Sequence, residues 1–500
     1  MSATSAPVVV IGAGMGGLSS ALDLSAGGID VIVLERAAEP GGKLHETAVN
    51  SVRMDSGPTV FTMRWVFEDL FAAAGLDFAT RVPLAPAELL ARHSWPDGSR
   101  LDLFADLDRS TEAIDRFAGG DEAMAYRRFA ARSAEVFATL DETFMRRAKP
   151  DPVSLTMSLG LGGLPRLYKT RPFVSLWREL GQQFRDQRLR QLFARYATYC
   201  GSSPLHAPAT LMLIAHAERA GVWLVEGGMQ RLAEVMAKAA ADAGASIHYD
   251  SDVSEVRRSG DGYRVLTQGG ESFEASAVVY NGDVAAFGQG LLGADLQGAC
   301  PDRSHEQRSL SAITWCMLAE VRDFPLAHHT VFFGDDYPAE FRAVFDAADI
   351  SAQPTVYVCA QDRGHMDAAG NAVEPKHQES ERLFLLINAP AKSLAPATIE
   401  RAETAAFSLL ERQGLVLSPN AASVVRATPA DFERRFPGSA GAIYGWPTHG
   451  WFGSFRRGGS TTRLPGLFCA GGTVHPGPGI PMATLSGRIA AAAVREHLGA

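Results

Sequence analysis

The stretch VVVIGAGMGGLSSALDLSAGGIDVIVLER, running from Val8 to Arg36, decides the fold. Its first residues form an apolar run suited to a buried parallel strand. Gly12, Gly14 and Gly17 follow as G-x-G-x-x-G at the start of a helix through Leu18, Ala21, Leu22 and Leu24. In such a loop Gly12 permits the tight turn, Gly14 lets backbone approach a pyrophosphate, and Gly17 lets helix and strand pack closely. Unpaired N–H groups and the helix dipole favour phosphate at that end. A second strand, Asp30 to Leu34, ends at Glu35, whose carboxylate is placed to accept from a ribose 2′-hydroxyl and would repel a 2′-phosphate. Strand, glycine loop, helix, strand and acid in this order predict a Rossmann-type dinucleotide site, but the glycine spacing serves nicotinamide and flavin equally.

The residues beyond Glu35 separate the two. ERAAEPGGK carries a second glycine pair, Gly41 and Gly42, followed by Lys43, and resembles the signature of the glutathione-reductase and amine-oxidase type of flavoprotein. MDSGPTVFT, with Asp55, Gly57, Pro58 and Thr59, resembles the segment passing beside the isoalloxazine in those enzymes; by composition alone it is a Gly/Pro turn before a helix. Near the C-terminus, LPGLFCAGGTVHPGPGIPMATLSGRIAAAAV reads as a strand from Leu467 to Ala470, a glycine-rich loop, and a helix of small residues from Met482 onward. It resembles the closing flavin-binding segment of that superfamily. The resemblance implies FAD, held by Gly12, Gly14, Gly17, Glu35, Gly41, Gly42, Lys43, Pro58, Thr59, Gly471, Gly472, Thr473, Ile480 and Pro481. Many relatives place an Asp after the strand's glycine to bond the ribityl chain. Gly472 and Thr473 stand there in this chain, so that bond falls to Thr473 or to a backbone N–H.

The expected fold is α/β, with a discontinuous flavin domain built from residues 1–70, 221–290 and 460–500. VEGGMQRLAEVMAKAAADAGASIHYD predicts a helix from about Met229 to Ala243 and a strand near Ile247. A hairpin turning at Gly260 to Gly262 and again at Gly269 and Gly270, then a strand at Val278 to Tyr280, are expected to complete the nucleotide-binding sheet. Residues 71–220 are read as a helical, membrane-facing substrate region. Residues 291–459 carry the β-rich runs SAITWCMLAEV, HHTVFFG, PTVYVCA and RLFLLINAP, expected to form a mainly antiparallel sheet in an α+β substrate domain.

Composition excludes other classes. The net charge of -9 over 500 residues argues against nucleic acid as a partner. Five cysteines with no CxxC pair and no secretory leader read as reduced thiols in a cytoplasmic protein. No apolar run reaches the roughly 20 residues that span a bilayer.

Taken with LRQLFARYATYCGSSPLHAPATL and GVWLVEGGMQRLAE, these motifs resemble the bacterial carotenoid desaturase family over nearly the full chain. PTVFTMRWVFEDLF is most similar to the branch acting on 1-hydroxy or 1-methoxy carotenoids. The resemblance implies C-3,4 desaturation of an acyclic carotenoid, with hydride passing to the flavin and the resulting cation delocalised along the polyene. Quinone or oxygen is left open as the electron acceptor. Such chemistry needs few acid–base groups, and the chain has no G-x-S-x-G elbow and no HExxH. Candidate contributors are His475, as proton acceptor or loop-ordering residue, and Arg64, as partner of the flavin or of a polar substrate end. Glu226 is read as structural. No metal site is expected, because the adjacent rings of His328 and His329 would point to opposite faces of a strand.

A fat-soluble substrate implies peripheral association with the inner membrane. Val153 to Pro165, bracketed by Arg146, Arg147, Lys149, Arg166, Lys169 and Arg171, is the expected docking segment. A phytoene desaturase, a non-catalytic prenyl-lipid escort, and an amine or protoporphyrinogen oxidase are the alternatives.

Overall fold

The computed structural model describes residues 6–148, 151, 168–364 and 380–500, at 420 and 421 for the backbone alone. Val8–Ile11 is buried throughout and lies at the centre of a five-stranded parallel sheet. The strand order is Ser246–His248, Val31–Leu34, Val8–Ile11, Ala277–Tyr280 and Leu467–Cys469. Strands covered on both faces have no solvent side to supply polar residues, which accounts for the runs VVVI, VIVL and AVVY.

Helices Met15–Ala26, Gln230–Asp242 and Ile480–Leu498 cover one face, burying Leu18, Leu22, Leu232, Met236, Ala490 and Val494. The other face carries a separate antiparallel sheet of Val253–Ser259, Gly262–Thr267 and Ser272–Ala275. This corrects one expectation: the hairpin does not extend the nucleotide-binding sheet. Its strands satisfy one another's backbone groups and lay Val256, Tyr263 and Val265 over Val9, Ile11 and Val278 as a second layer.

A seven-stranded sheet forms the second core. Its order is Val416–Ala427, Ser311–Arg322, Glu381–Ala389, Val356–Ala360, His329–Phe332, Leu89–Ser94 and Arg100–Phe104, with only the His329–Phe332 and Leu89–Ser94 pair parallel. All four β-rich runs enter it. The last two strands come from the region read as helical: LLARHS buries every residue but Leu89 and Arg92, RLDLF buries alternate residues, and the helices of this region begin at Leu107–Ala118. Pro396–Arg412 packs on one face through Ala402, Ala406 and Leu409. Helices Gly120–Leu140, Leu176–Gln183 and Gln187–Ala194 lie toward the other, around Phe129, Leu180 and Phe193. Among the described residues no helix is long and apolar enough to cross a membrane. Val153 to Pro165 lies outside the described residues.

Candidate functional site

A cavity of about 1960 Å³ reaches from the glycine loop into the space between the seven-stranded sheet and the helices. Single small-ligand sites occupy roughly 300–1,000 Å³, so it has room for a dinucleotide and a second long ligand.

The dinucleotide end is shaped by helix starts. Met15–Ala26 begins at Gly14 and Ile480–Leu498 at Gly479, and no side chain caps either one. Both first turns line the cavity, leaving backbone N–H groups for a ligand. The third helix differs: Asp55 accepts from the Met229 and Gln230 amides at 2.7 and 3.2 Å and caps Gln230–Asp242. Glu226, at the turn before it, is exposed.

Of the sequence-predicted cofactor residues, Gly12, Gly14, Glu35, Gly42, Lys43, Pro58, Thr59, Gly471, Gly472, Thr473, Ile480 and Pro481 line the cavity. Gly17 and Gly41 do not, and they shape it from behind. A Cβ at Gly17 would overlap the Gly12 carbonyl oxygen, and one at Gly41, at φ +122°, the Leu44 carbonyl oxygen. The Glu35 carboxylate accepts from Ala13 at 2.6 Å and Ala37 at 2.8 Å, which ties the loop to the second strand. Burial pushes this carboxyl above its usual range, and those backbone N–H groups pull it back. The Thr473 hydroxyl donates to the Gly282 carbonyl at 3.3 Å.

Sequence reading missed what lies beneath. Asn281, next after Ala277–Tyr280, sits under both loops. A Cβ on Gly14, Gly16 or Gly471 would come within 2.7–2.8 Å of its amide. Asp283 lines the cavity and is ion-paired with Arg308. Arg457 donates to the Gly472 carbonyl at 3.1 Å and to that of Trp446 at 2.7 Å. Burial pulls the Lys43 ammonium down to about 8; Asp283 opposes this, while Arg308 and Arg457 add to it. NGD after a buried strand is the only signal the sequence carried for this cluster.

Neither catalytic candidate lines the cavity. Arg64 forms an ion pair with Glu68 at 2.8 Å and lies over the Trp223 ring at 4.9 Å, so its charge is engaged one helical turn along its own helix. His475 is buried, with Nε2 on the Phe144 carbonyl at 2.9 Å and its ring edge-on to Phe144. Burial holds it down at about 4, a neutral imidazole tying the C-terminal loop to the helical region.

The far end of the cavity is apolar, with Leu211, Leu213, Ile214, Phe384 and Leu386 in its walls. A polar cluster interrupts it. Arg195 Nη1 donates to the Tyr199 hydroxyl at 3.1 Å, and its guanidinium lies 5.3 Å from the Tyr199 and Tyr357 ring centres. Glu218 accepts from Tyr199 at 2.9 Å and Tyr196 at 2.5 Å. The Tyr357 hydroxyl bonds Thr59 at 2.6 Å and His329 Nδ1 at 2.7 Å.

His328 and His329 also depart from expectation. The strand begins at His329, so the pair does not alternate across it, and the rings meet edge to face at 4.6 Å. With Cys359, opposite His329 in the sheet, they gather three potential ligand atoms within 4.8 Å of one another.

Residues 15–299 match the family model for flavin-containing amine oxidoreductases. The chain is 45% identical to a hydroxyneurosporene desaturase of Rubrivivax gelatinosus, over 98% of this chain and 93% of that protein. It is 41% identical to a hydroxyneurosporene desaturase of Cereibacter sphaeroides, over 98% of both. It belongs to the flavin-containing amine oxidoreductase family. A putrescine oxidase variant superposes on this flavoprotein with a TM-score of 0.60 at 15% identity, covering 99% of each chain, which establishes the shared fold. FAD is the cofactor of this oxidoreductase. The uncapped helix starts and the floor free of Cβ atoms around Asn281 fit it.

Proposed function

We propose that this flavoprotein is a carotenoid desaturase that introduces a C-3,4 double bond into acyclic substrates bearing a 1-hydroxy or 1-methoxy group. The observation that carries this is the continuity of the cavity. One wall set holds Gly14, Glu35 and Gly472, and the other is an apolar slot between sheet and helices. The names of the two relatives support the substrate class.

In this reading the amides after Gly12 and Gly14 hold the pyrophosphate, and Glu35, with lone pairs beyond those used by Ala13 and Ala37, takes the ribose hydroxyls. Gly472, Thr473, Ile480 and Pro481 border the flavin side. Bound FAD supplies the hydride acceptor. The chain orients the polyene and excludes water from it. The test supplies holoenzyme in liposomes with phytoene and with 1-hydroxyneurosporene separately, and follows the red shift of the lengthening polyene. Conversion of the hydroxylated substrate is expected. Conversion of phytoene alone would move the protein to the phytoene desaturases.

The substrate reaches the site from a membrane surface in this proposal. Tyr168 is 71% exposed and Phe173 67%. Phe173 lies 4.9 Å from Trp451, which touches Phe452, and Tyr168, Phe173 and Trp451 all line the cavity. Aromatic rings clustered at an opening suit the headgroup layer. Two of the basic residues assigned to docking are otherwise engaged: Arg146 pairs with Asp69 and Asp141, and Arg171 with Glu179. Phe173→Ser with Trp451→Ser is therefore expected to reduce co-sedimentation with anionic liposomes more than Arg146→Gln with Arg171→Gln does. Equal binding by the aromatic variant and wild type would reject the aromatic ridge as the anchor.

A further inference from the structure

Arg195 is an anomaly in the apolar part of the cavity. A guanidinium has five N–H donors, and among the described residues the one protein acceptor it meets is the Tyr199 hydroxyl. No carboxylate among them forms an ion pair with it, although Glu218 lies just beyond Tyr199. Glu218 is spent on the hydroxyls of Tyr196 and Tyr199. Spare donors facing an apolar slot are costly unless a ligand supplies an acceptor.

We propose that Arg195, seated on the rings of Tyr199 and Tyr357, binds the oxygen-bearing end group of the polyene substrate and so sets which carbon pair lies at the flavin. The inference rests on the desaturase reading and deepens it. Three points select the ligand. The Glu218 carboxylate, one hydroxyl away, offsets the guanidinium, and Glu340, held by Thr355 and Asn388, is a second carboxyl in reach of it, so the cluster has no excess positive charge to attract an anion and suits a neutral oxygen. A guanidinium only donates, so it serves a hydroxyl and a methyl ether alike, whereas a carboxylate acceptor would take the alcohol and reject the ether. The place is also right. An oxygen on C-1 is only three bonds from C-3, so whatever reads it must stand beside the reacting carbons. The Tyr357 ring under Arg195 carries the hydroxyl that bonds Thr59, in the segment assigned to the flavin's side.

Arg195 and Tyr199 stand four residues apart in the short 3-10 helix Arg195–Cys200, and the 3.1 Å bond from guanidinium to hydroxyl holds the two side chains together across it. Gln187–Ala194 before it packs Leu192 and Phe193 into the core and so fixes where the turn emerges.

The test compares wild type, Arg195→Met and Arg195→Lys as FAD-loaded enzymes in liposomes. Each receives 1-hydroxyneurosporene, its methyl ether, or neurosporene without oxygen, and FAD content is measured alongside. Arg195→Met is expected to lose roughly 10- to 100-fold in kcat/KM for both oxygenated substrates, the scale of a hydrogen bond to a charged donor. Turnover of neurosporene should hold or rise, because Met leaves no unpaired donors against its apolar end, and FAD content should stay near wild type, so the preference collapses. Arg195→Lys, which keeps the charge but not the planar fork, should lose less and favour neither oxygenated substrate. If Arg195→Met does not hold FAD, wild type decides: equal kcat/KM for neurosporene and the two oxygenated substrates overturns the proposal, and so does an unchanged preference in a FAD-loaded Met variant. Wild-type enzyme inactive on every oxygenated polyene would overturn the assignment to 1-hydroxy and 1-methoxy substrates, and the inference with it.

Discussion

Gly14→Val is expected to leave the purified protein without FAD. A Cβ at Gly14 would stand 2.7 Å from the Asn281 amide, and the rest of the isopropyl group would project from the first turn of Met15–Ala26 into the cavity. Both sides of the loop are constrained. Asn281 has little room to retreat, because its amide is packed as closely against the backbones of Gly16 and Gly471. The pyrophosphate cannot shift without losing the helix N-terminus that holds it. An affinity loss of roughly 100-fold or more, about 2.8 kcal/mol, is expected. The measurement is flavin absorbance per protein, with identification of what heat denaturation releases. Near-stoichiometric FAD in the variant would reject the placement of the pyrophosphate. NAD released from wild type, or failure of wild type to take up FAD, would reject the cofactor assignment.

The second large effect lies at the opposite end of the chain. Gly487→Val is expected to destabilise the protein and weaken FAD binding together. A Cβ there would overlap the Gly16 carbonyl oxygen and stand 2.7 Å from Ser19 Cβ, where the last helix crosses the first. The Ser20 hydroxyl donates to the Gly487 carbonyl at 2.9 Å, and the Ser19 hydroxyl to that of Thr484 at 2.8 Å. Forcing these backbones apart costs about 1–3 kcal/mol in overpacking, with about 1 kcal/mol more for a strained hydrogen bond. The opposing atom is a carbonyl of the glycine loop, so the strain passes directly into the cofactor site. Lower thermal stability and lower FAD occupancy are the paired readouts. Gly458→Ala, whose added carbon meets nothing within 4 Å, is the control and should stay within about 1 kcal/mol of wild type. A Gly487→Val protein with unchanged stability would mean that the two helices do not cross this closely.

These two glycines mark how far the sequence could be read. Gly14 was legible, because its neighbours along the chain define its role. A β-branched strand precedes it, a helix follows it, and an acid stands one strand later. Gly487 was not. In TLSGRIAAAAV it is one small residue among several, and only the crossing with a helix some 470 positions earlier makes it obligatory. The same divide runs through the site. Glu35, Gly42, Thr59 and Gly472 belong to contiguous motifs and line the cavity. Asn281, Asp283 and Arg457 belong to no spacing rule, and become a unit only where strands from distant parts of the chain lie side by side.

By itself the sequence determined the parallel-sheet nucleotide unit and the β-rich substrate layer, because strand and helix periodicity and glycine placement act within about 30 residues; the flavin type rested on the resemblance of three contiguous motifs to known flavoproteins. Tertiary structure alone decided the side chains' employment. Arg64 found Glu68 on its own helix and left the cavity. The hairpin after Val253 satisfied its own hydrogen bonds and became a separate layer. Arg195, an inconspicuous residue in LFARYATYC, was brought over Tyr357 from the sheet and within one hydroxyl of Glu218. Hydrogen bonds and charge pairing act over a few ångströms of space and take no account of distance along the chain, so only the folded chain settles which polar groups remain free for a ligand.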